Sequence, residues 1–273
     1  MSRRLETILL HAVLIAGGIV TLFPLFWMAS ASLMSSGEAT TLPPRLVPHA
    51  PTLAQYRELF VRLNLGRAFL SSAIVATAVT FFSVLFGSMA GYAFAKLRFG
   101  GREKLFGLLL IALVIPPQVG MLPLFLLMKS LGLVNSYWGA IIPSMVTVFG
   151  IFMIRQFMLS VPQELLEAAR IDGASEFRIY WTIVLPLARP ILATLATFMF
   201  MSTWNDFMWP LIILSDQDRY TLPVALANLS GEHVQDVELM MAGSVVTVLP
   251  VLAVFMVLQR YYIAGIMQGS VKG

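Results

Sequence analysis

Six long apolar runs constrain the fold of this chain more than any other feature of its sequence. A helix needs about 20 mostly apolar residues to span roughly 30 Å of hydrocarbon, and each run is long enough to do so. Unpaired backbone groups are very costly in lipid, and the runs lack the short alternating strands of a membrane barrel. The sequence therefore predicts an all-α polytopic membrane protein with six transmembrane helices. The predicted spans cover about residues 9–32, 68–95, 105–128, 130–154, 190–215 and 239–259.

The composition excludes several other classes of protein. Only 12% of the 273 residues are charged, against roughly 25% in an average soluble protein, so we do not expect a soluble fold. The chain has no cysteine, which rules out a disulfide, a thiolate metal site and a thiol nucleophile. Of the three histidines only His11 lies in a predicted span, without a matching Asp or Glu cluster, so we expect no metal site.

The first apolar run resembles a cleaved signal peptide in its basic start and in the small residues 29–31. It is longer than the roughly 7–15 apolar residues of such a peptide, and it contains Pro24 and Trp27. We therefore expect it to be retained as a span. Prolines are expected to bend the later spans, because each removes a backbone hydrogen bond. These are Pro116, Pro117, Pro123, Pro143, Pro210 and Pro250.

Lysine and arginine residues predict the orientation, because cytoplasmic loops are enriched in them. With the amino terminus inside, twelve of the 18 fall on the inner side and six on the outer side. The inner set is Arg3, Arg4, Lys96, Arg98, Arg102, Lys104, Arg155, Arg170, Arg178, Arg189, Arg260 and Lys272. The outer set is Arg45, Arg57, Arg62, Arg67, Lys129 and Arg219. We therefore expect both termini in the cytoplasm, with the longest cytoplasmic connection between residues 155 and 189.

That connection is a charged island whose pattern predicts a helix, a sharp turn and a second helix. Ser160 and Gln163 have capping-box spacing, and Pro162 suits a first helical turn. Gly173 is expected to end the first helix, and Ser175 to begin the second.

Within the first helix, Leu165, Leu166 and Ala169 can share one face, and Glu167 and Arg170 are spaced for a weak ion pair. Two interpretations follow. The island is an amphipathic element lying on lipid headgroups, or it is a projection that docks on another protein. Its small residues favour docking, because they permit close backbone approach.

The segment Glu167-Ala168-Ala169 is followed after three residues by Gly173, and after nine more by Ile183-Val184-Leu185-Pro186. This resembles the EAA loop of ABC-importer permeases, whose pattern is E-A-A, three residues, G, nine residues, then I-x-L-P. Every specified position matches. In that family the loop forms a coupling helix that sits in a groove of a separate ATP-hydrolysing subunit. The resemblance thus implies a type I ABC importer permease fold and a chain that transmits work without hydrolysing ATP.

The resemblance also assigns roles to residues of a cytoplasmic coupling loop at about 160–186. Glu167 would contact the partner or fix the loop, the two alanines would allow close packing, and Gly173 would make the turn. We expect no cofactor on this chain, because it has no G-x-x-x-x-G-K-[ST] phosphate cradle; ATP and Mg²⁺ would be bound by the partner ATPase. The implied coupling residues are Glu167, Ala168, Ala169, Arg170, Asp172, Gly173, Ile183, Leu185 and Pro186.

Three further segments narrow the resemblance to carbohydrate-type permeases. Residues 204–211 resemble W-N-[DE/Q]-[FY]-L-W-P-L, residues 53–60 resemble N-Y-x-x-L-F with Gln55 at the usual Asn, and residues 259–273 resemble the family's ending. The three segments resemble those of the smaller permease of maltose-type or glycerol-3-phosphate-type importers. The resemblance implies that residues 1–273 form a single permease domain. Implied partners are a second permease, two ABC ATPase subunits and a periplasmic or lipid-anchored binding protein, in the bacterial cytoplasmic membrane.

Asp206 is the charged residue within the predicted spans, where a carboxylate costs about 2.5–3.5 kcal/mol on insertion scales. It lines a substrate path, pairs with the partner permease, or lies nearer the external interface; all three interpretations remain open. The candidate translocation-path residues are Gln118, Trp204, Asn205 and Asp206. Buried amides that bridge helices are the alternative for the polar members.

A sugar is the expected substrate, with glycerol-3-phosphate or a related phosphodiester as the alternative. An intramembrane enzyme that uses Asp206 is a remote alternative. It lacks a G-x-S-x-G element and a second intramembrane carboxylate, so we expect a transport subunit and no enzyme.

Overall fold

The computed structural model describes residues 3–62, 64–232 and 236–270, and all regular structure within them is helical. The helices are α1 (Arg3–Ala31), α2 (Ala54–Arg62), α3 (Leu65–Lys96), α4 (Arg102–Ala112), α5 (Pro117–Ser130), α6 (Tyr137–Ile141), α7 (Val148–Leu159), α8 (Gln163–Ile171), α9 (Glu176–Ile179), α10 (Leu185–Leu187), α11 (Arg189–Trp204), α12 (Met208–Ile213), α13 (Leu222–Glu232) and α14 (Val237–Ser270). Short 3₁₀ segments lie at Ile142–Ser144 and Gln217–Arg219, and a π segment at Tyr180–Val184.

The prediction of an all-α polytopic membrane protein is confirmed. Among the described residues four helical stretches are long and apolar enough to cross a membrane, and six if each of two bent pairs counts as one span. The four are Glu6–Ala31, Leu65–Lys96, Tyr137–Leu159 and Val237–Val257. None of the most apolar part of α1 is buried, as expected for a helix that faces lipid.

The helices differ from the predicted spans where the backbone turns. The stretch that corresponds to the fourth predicted span begins at Tyr137 rather than near residue 130, because Gly132 and Asn135 adopt positive φ angles of 70° and 56°. The predicted run 190–215 is interrupted after Trp204, and α12 begins only at Met208.

One of the prolines expected to bend a span lies at a sharp bend, whereas another lies inside a continuous helix. Helices α4 and α5 meet at 101°, where Leu113, Val114 and Ile115 donate to carbonyls three residues back and Pro116 precedes α5. Pro250 lies inside the continuous 34-residue helix α14 and does not interrupt it. A proline can remain inside a membrane helix where neighbouring groups satisfy the freed carbonyl.

The chain forms two compact units, residues 1–66 with 225–250, and residues 67–224 with 251–273. In the first unit Ala31, Met34 and Ala39 form a small core. The N–H of Ala39 donates to Oε1 of the fully buried Glu238 at 2.6 Å, which fastens the segment after α1 to the start of α14.

In the second unit α3, α7 and α11 pack around a core that includes Ile154 and Leu195. Small residues allow the backbones to approach: a Cβ at Gly91 would lie 2.7 Å from the Cβ of Ile154, and one at Gly87 would lie 3.7 Å from the carbonyl carbon of Gly150. Such small contacts are the usual way in which membrane helices pack. This core carries the 160–186 loop between α7 and α11.

Candidate functional site

Helix α8 of the 160–186 loop buries one face and exposes the other. Leu166 is fully buried, and Ala169 packs against the same core. Leu165, at the edge of the same face, is 42% exposed. Ile171 is 86% exposed at the end of the helix. The helix therefore presents apolar side chains outward in addition to those that hold it in place.

The predicted capping box at the start of α8 is absent. The hydroxyl of Ser160 donates to the carbonyl of Phe157 at 2.7 Å, where it completes the end of α7 instead. Pro162 is the residue before the first helical turn, with no side-chain cap. A residue of α3 stabilises the start of α8 instead, because Nζ of Lys96 donates to the carbonyl of Val161 at 2.6 Å.

Gly173 ends α8 as the sequence predicts. Its φ is +79°, a left-handed conformation that glycine adopts without strain. Its N–H donates to the carbonyl of Arg170, and the N–H of Ala174 to that of Ala169, each at 3.0 Å. This pair of bonds is the Schellman motif, which satisfies the last helical carbonyls. Nothing lies within 4 Å of a Cβ built on Gly173, so its conformation rather than crowding within the chain requires glycine.

The second helix also begins where it was predicted. Oγ of Ser175 accepts the N–H of Arg178 at 3.3 Å and caps α9. Helix α9 passes into the π segment and then into α10. Ile183 and Leu185 pack against the core, whereas Pro186 is exposed. The last part of the motif thus joins the loop to the membrane-embedded core.

The predicted ion pair between Glu167 and Arg170 does not form. Nε of Arg170 donates instead to Oε1 of Glu176 at 2.6 Å, across the turn at Gly173. The Arg170 guanidinium lowers the pKa of Glu176, and the Glu176 carboxylate raises the pKa of Arg170. Glu167 is exposed, and among the described residues it has no hydrogen-bond partner. It lines a cavity of about 470 Å³ together with Lys96, Arg98, Gln163, Arg170 and Glu176.

The remaining motif residues lie on the outer surface of the loop. Ala168 and Asp172 are exposed, as are Phe177 and Trp181 beyond the turn. The loop therefore displays an apolar surface with an unpaired carboxylate beside it, on a backbone held by a rigid turn.

Sequence reasoning missed a polar stripe on α3, made of Ser88, Tyr92 and Lys96, to which the loop is bonded. These residues are spaced by four and so lie on one helix face. Ser88 shares a hydrogen bond of 2.7 Å with the hydroxyl of Tyr180, and Tyr92 donates to Oε2 of Glu176 at 2.7 Å. Three polar residues at this spacing at the end of an apolar span were the available signal.

The candidate translocation-path residues lie in different surroundings. Trp204 is buried and packs against Phe69 and Phe200, with ring centroids 5.5 Å apart in both cases. Asn205 is exposed and donates to the carbonyl of Met201 at 2.7 Å. Oδ1 of Asp206 accepts the N–H of Trp209 at 3.4 Å, at the break before α12.

Gln118 is exposed in the first turn of α5, after the 101° bend. The assignment of the polar members to a substrate path or to helix bridging stays a prediction. In the described part of the chain, no three His, Asp or Glu side chains converge as a metal site would require.

The chain is similar to known transport proteins over most of its length. The family described as "Binding-protein-dependent transport system inner membrane component" matches residues 83–268. The arabinooligosaccharides transport system permease protein of Halalkalibacterium halodurans is 39% identical over 257 residues, which are 93% of this chain and 92% of that protein. The diacetylchitobiose uptake system permease protein of Streptomyces coelicolor is 33% identical, covering 96% of this chain and 88% of that protein.

One relative transports a different class of compound, and one solved structure has the same fold. The sn-glycerol-3-phosphate transport system permease protein of Pectobacterium atrosepticum is 31% identical, over 98% of this chain and 99% of that protein. A chain in the crystal structure of a bacterial ABC transporter involved in the import of the acidic polysaccharide alginate matches with a TM-score of 0.83. It is 27% identical, and the match covers 96% of this chain and 99% of that one.

Proposed function

The chain belongs to the family of binding-protein-dependent transport system inner membrane components, and on this premise we propose that it is the permease subunit of an ATP-driven oligosaccharide importer. In this proposal the 160–186 loop docks on a separate ATP-hydrolysing subunit. Closure of that subunit around nucleotide moves the loop, and the loop moves the membrane helices. The chain itself performs no hydrolysis.

The geometry of the loop carries this proposal. Ile171 is 86% exposed at the end of α8 and Phe177 is 64% exposed beyond the turn, although the fully buried Leu166 and Ile179 anchor their two helices. Exposed apolar side chains on a rigid projection are characteristic of a protein interface. The Schellman turn at Gly173 keeps these side chains in a fixed arrangement, so that little ordering entropy is lost when a partner binds.

In this proposal a partner subunit binds and hydrolyses ATP. The full sequence lacks the G-x-x-x-x-G-K-[ST] loop whose backbone N–H groups would hold phosphates. ATP and Mg²⁺ therefore belong on two ABC ATPase subunits. A second permease subunit would complete the membrane pathway, and a periplasmic or lipid-anchored binding protein would deliver the substrate. The location is the bacterial cytoplasmic membrane, with both termini in the cytoplasm.

Oligosaccharides are the preferred substrate class because arabinooligosaccharide and diacetylchitobiose permeases are among the relatives. Glycerol-3-phosphate or a related phosphodiester is the second candidate, favoured by the relative that is similar over 98% of this chain. Competition binding of both classes of ligand to the cognate binding protein distinguishes the two candidates.

Ile171→Glu tests the docking role. Because Ile171 is 86% exposed, the substitution leaves the core intact, but it places a charge in the proposed apolar contact. The chain is expressed with the subunits encoded beside it, and co-purification of the ATPase and ATP-driven uptake into proteoliposomes are measured. We expect both to fall at least about tenfold, as a loss of 1.4 kcal/mol in binding would produce.

The matched control is Val61→Glu, which changes a 77% exposed apolar residue on α2. It should leave co-purification unchanged. If Ile171→Glu retains the ATPase and full uptake, or if the unsubstituted chain never binds an ATPase, the proposal is wrong.

A further inference from the structure

The 160–186 loop is joined to three membrane helices, although the chain connects it to only two. Its ends continue into α7 and, through α10, into α11. The third connection is made by side chains of α3, a helix that ends more than 60 residues before the loop begins. Its contacts come from the stripe formed by Ser88, Tyr92 and Lys96.

Tyr92 bonds to the loop at the turn. Its hydroxyl donates to Oε2 of Glu176 at 2.7 Å, while Oε1 of the same carboxylate accepts Nε of Arg170 at 2.6 Å. Glu176 thus connects α3 to both sides of the Gly173 turn. Hydrogen bonds to an ionised group are shorter and stronger than neutral ones, so this three-residue chain is a firm attachment.

Lys96 bonds to the loop at its other end. It is 9% exposed, and Nζ donates to the carbonyl of Val161 at 2.6 Å, immediately before α8. The two attachments therefore hold both ends of α8, and they come from residues one helical turn apart on one face of α3. A displacement of α8 cannot occur without breaking these bonds or moving the end of α3.

The helix that receives this displacement is long and stiff. Helix α3 has 32 residues, which at 1.5 Å per residue corresponds to about 48 Å, more than the thickness of the hydrocarbon layer. Close packing at Gly91, where a Cβ would lie 2.7 Å from Ile154, couples α3 laterally to α7. Motion at one end of α3 is therefore transmitted along the whole span.

We propose that Tyr92 and Lys96 are positioning residues that couple the 160–186 loop to α3, so that α3 moves with the loop during each ATP hydrolysis cycle. Tyr92 acts through Glu176, and Lys96 acts through the backbone at Val161. This inference rests on the proposed function. It specifies α3 as the membrane helix that moves with the loop, and Tyr92 and Lys96 as the side chains that transmit the movement. In this role both residues act on the loop and need no contact with the ATPase or the substrate.

The test measures coupling separately from assembly. Tyr92→Phe and Lys96→Met are introduced into the complete transporter in proteoliposomes, and substrate uptake and ATP hydrolysis are recorded together. We expect the ATPase to remain bound and hydrolysis to continue, while substrate molecules transported per ATP fall about tenfold, the factor that corresponds to 1.4 kcal/mol. Tyr56→Phe is the matched control, because it removes a hydroxyl that bonds Ser32 at 2.8 Å in the segment after α1.

A double-mutant cycle shows whether Tyr92 acts through Glu176. Tyr92→Phe should lower coupling in the unsubstituted background but add nothing in a Glu176→Ala background, since alanine offers no acceptor and contacting residues are not additive. Glu176 is 45% exposed at its side chain, so this second variant should fold even if another does not.

The outcomes separate this inference from the proposed function. If the unsubstituted transporter shows no ATP-driven uptake, the proposed function fails. If it shows uptake that Ile171→Glu abolishes, while Tyr92→Phe and Lys96→Met transport as many molecules per ATP as Tyr56→Phe, the inference about α3 is wrong. Loss of the ATPase from the two variants would also contradict it, because a positioning role requires an intact complex.

Discussion

Substitutions of Gly173 separate the conformation of the turn from its proposed contact with a partner. A Cβ there meets no atom within 4 Å, so the intramolecular cost of a side chain comes from the φ angle of +79° alone. For alanine this strain is about 1–2 kcal/mol. Asparagine and aspartate tolerate the left-handed region better than other residues, so they should destabilise the chain less than alanine does.

For transport, the order of the alanine and asparagine variants should be reversed. If an ATPase groove covers the turn, the larger side chain meets the partner, and overpacking of a close contact costs about 1–3 kcal/mol. Uptake should therefore fall slightly in Gly173→Ala and about tenfold or more in Gly173→Asn, since 1.4 kcal/mol corresponds to a factor of ten. Gly173→Asp adds a charge and should abolish uptake and stimulated ATP hydrolysis while leaving membrane insertion intact.

The assay combines thermal unfolding of the purified chain in detergent with ATP-driven uptake by the assembled transporter. The expected stability order is Gly, Asn, Ala, from most to least stable, and the expected uptake order is Gly, Ala, Asn. If uptake instead follows stability, Gly173 matters only for the fold and the docking argument at this residue is refuted. Full uptake in Gly173→Asp would have the same meaning.

Two further predictions concern packing and pH. Gly91→Ala should lower the melting temperature, because its Cβ would lie 2.7 Å from the Cβ of Ile154 and overpacking costs about 1–3 kcal/mol; Gly87→Ala, with 3.7 Å of room, should not, and equal effects would contradict the packing argument. The lowered pKa of Glu176 means that its pairing stabilises the loop above its ordinary pKa of about 4.3 and is lost as the pH falls through the lowered value. Acid unfolding of the loop should therefore depend less on pH in Glu176→Gln, as followed by fluorescence in a variant that keeps Trp181 as its single tryptophan out of five; an unchanged profile would show that another group is responsible.

The sequence predicted the parts of this structure that depend on local chemistry. Apolar runs identified the membrane helices, because burial of the backbone in lipid leaves few alternatives. Gly173 and Ser175 were correctly placed at the end of one helix and the start of the next, since both roles depend on the residue's own backbone or hydroxyl. Neither role requires a contact with a residue that is distant in the sequence.

The errors occurred where two local rules competed or where a partner lay beyond the local segment. Ser160 could cap α8 or complete α7, and it completes α7. Arg170 had a carboxylate in its own helix, but the turn at Gly173 brings Glu176 closer. Tyr92 and Lys96 bond to residues more than 60 positions away; their spacing marks a polar face of α3 but does not identify the partner.

The π segment at Tyr180–Val184 has a consequence for how this region tolerates insertions and deletions. A π turn closes i→i+5 hydrogen bonds and so holds one residue more than an α turn over a similar rotation. A one-residue deletion there would restore regular winding and leave Ile171 and its neighbours on the same side, whereas a deletion in α9 would turn them by about 100°. A deletion within the π segment should therefore disturb the placement of Ile171 less than a deletion in α9.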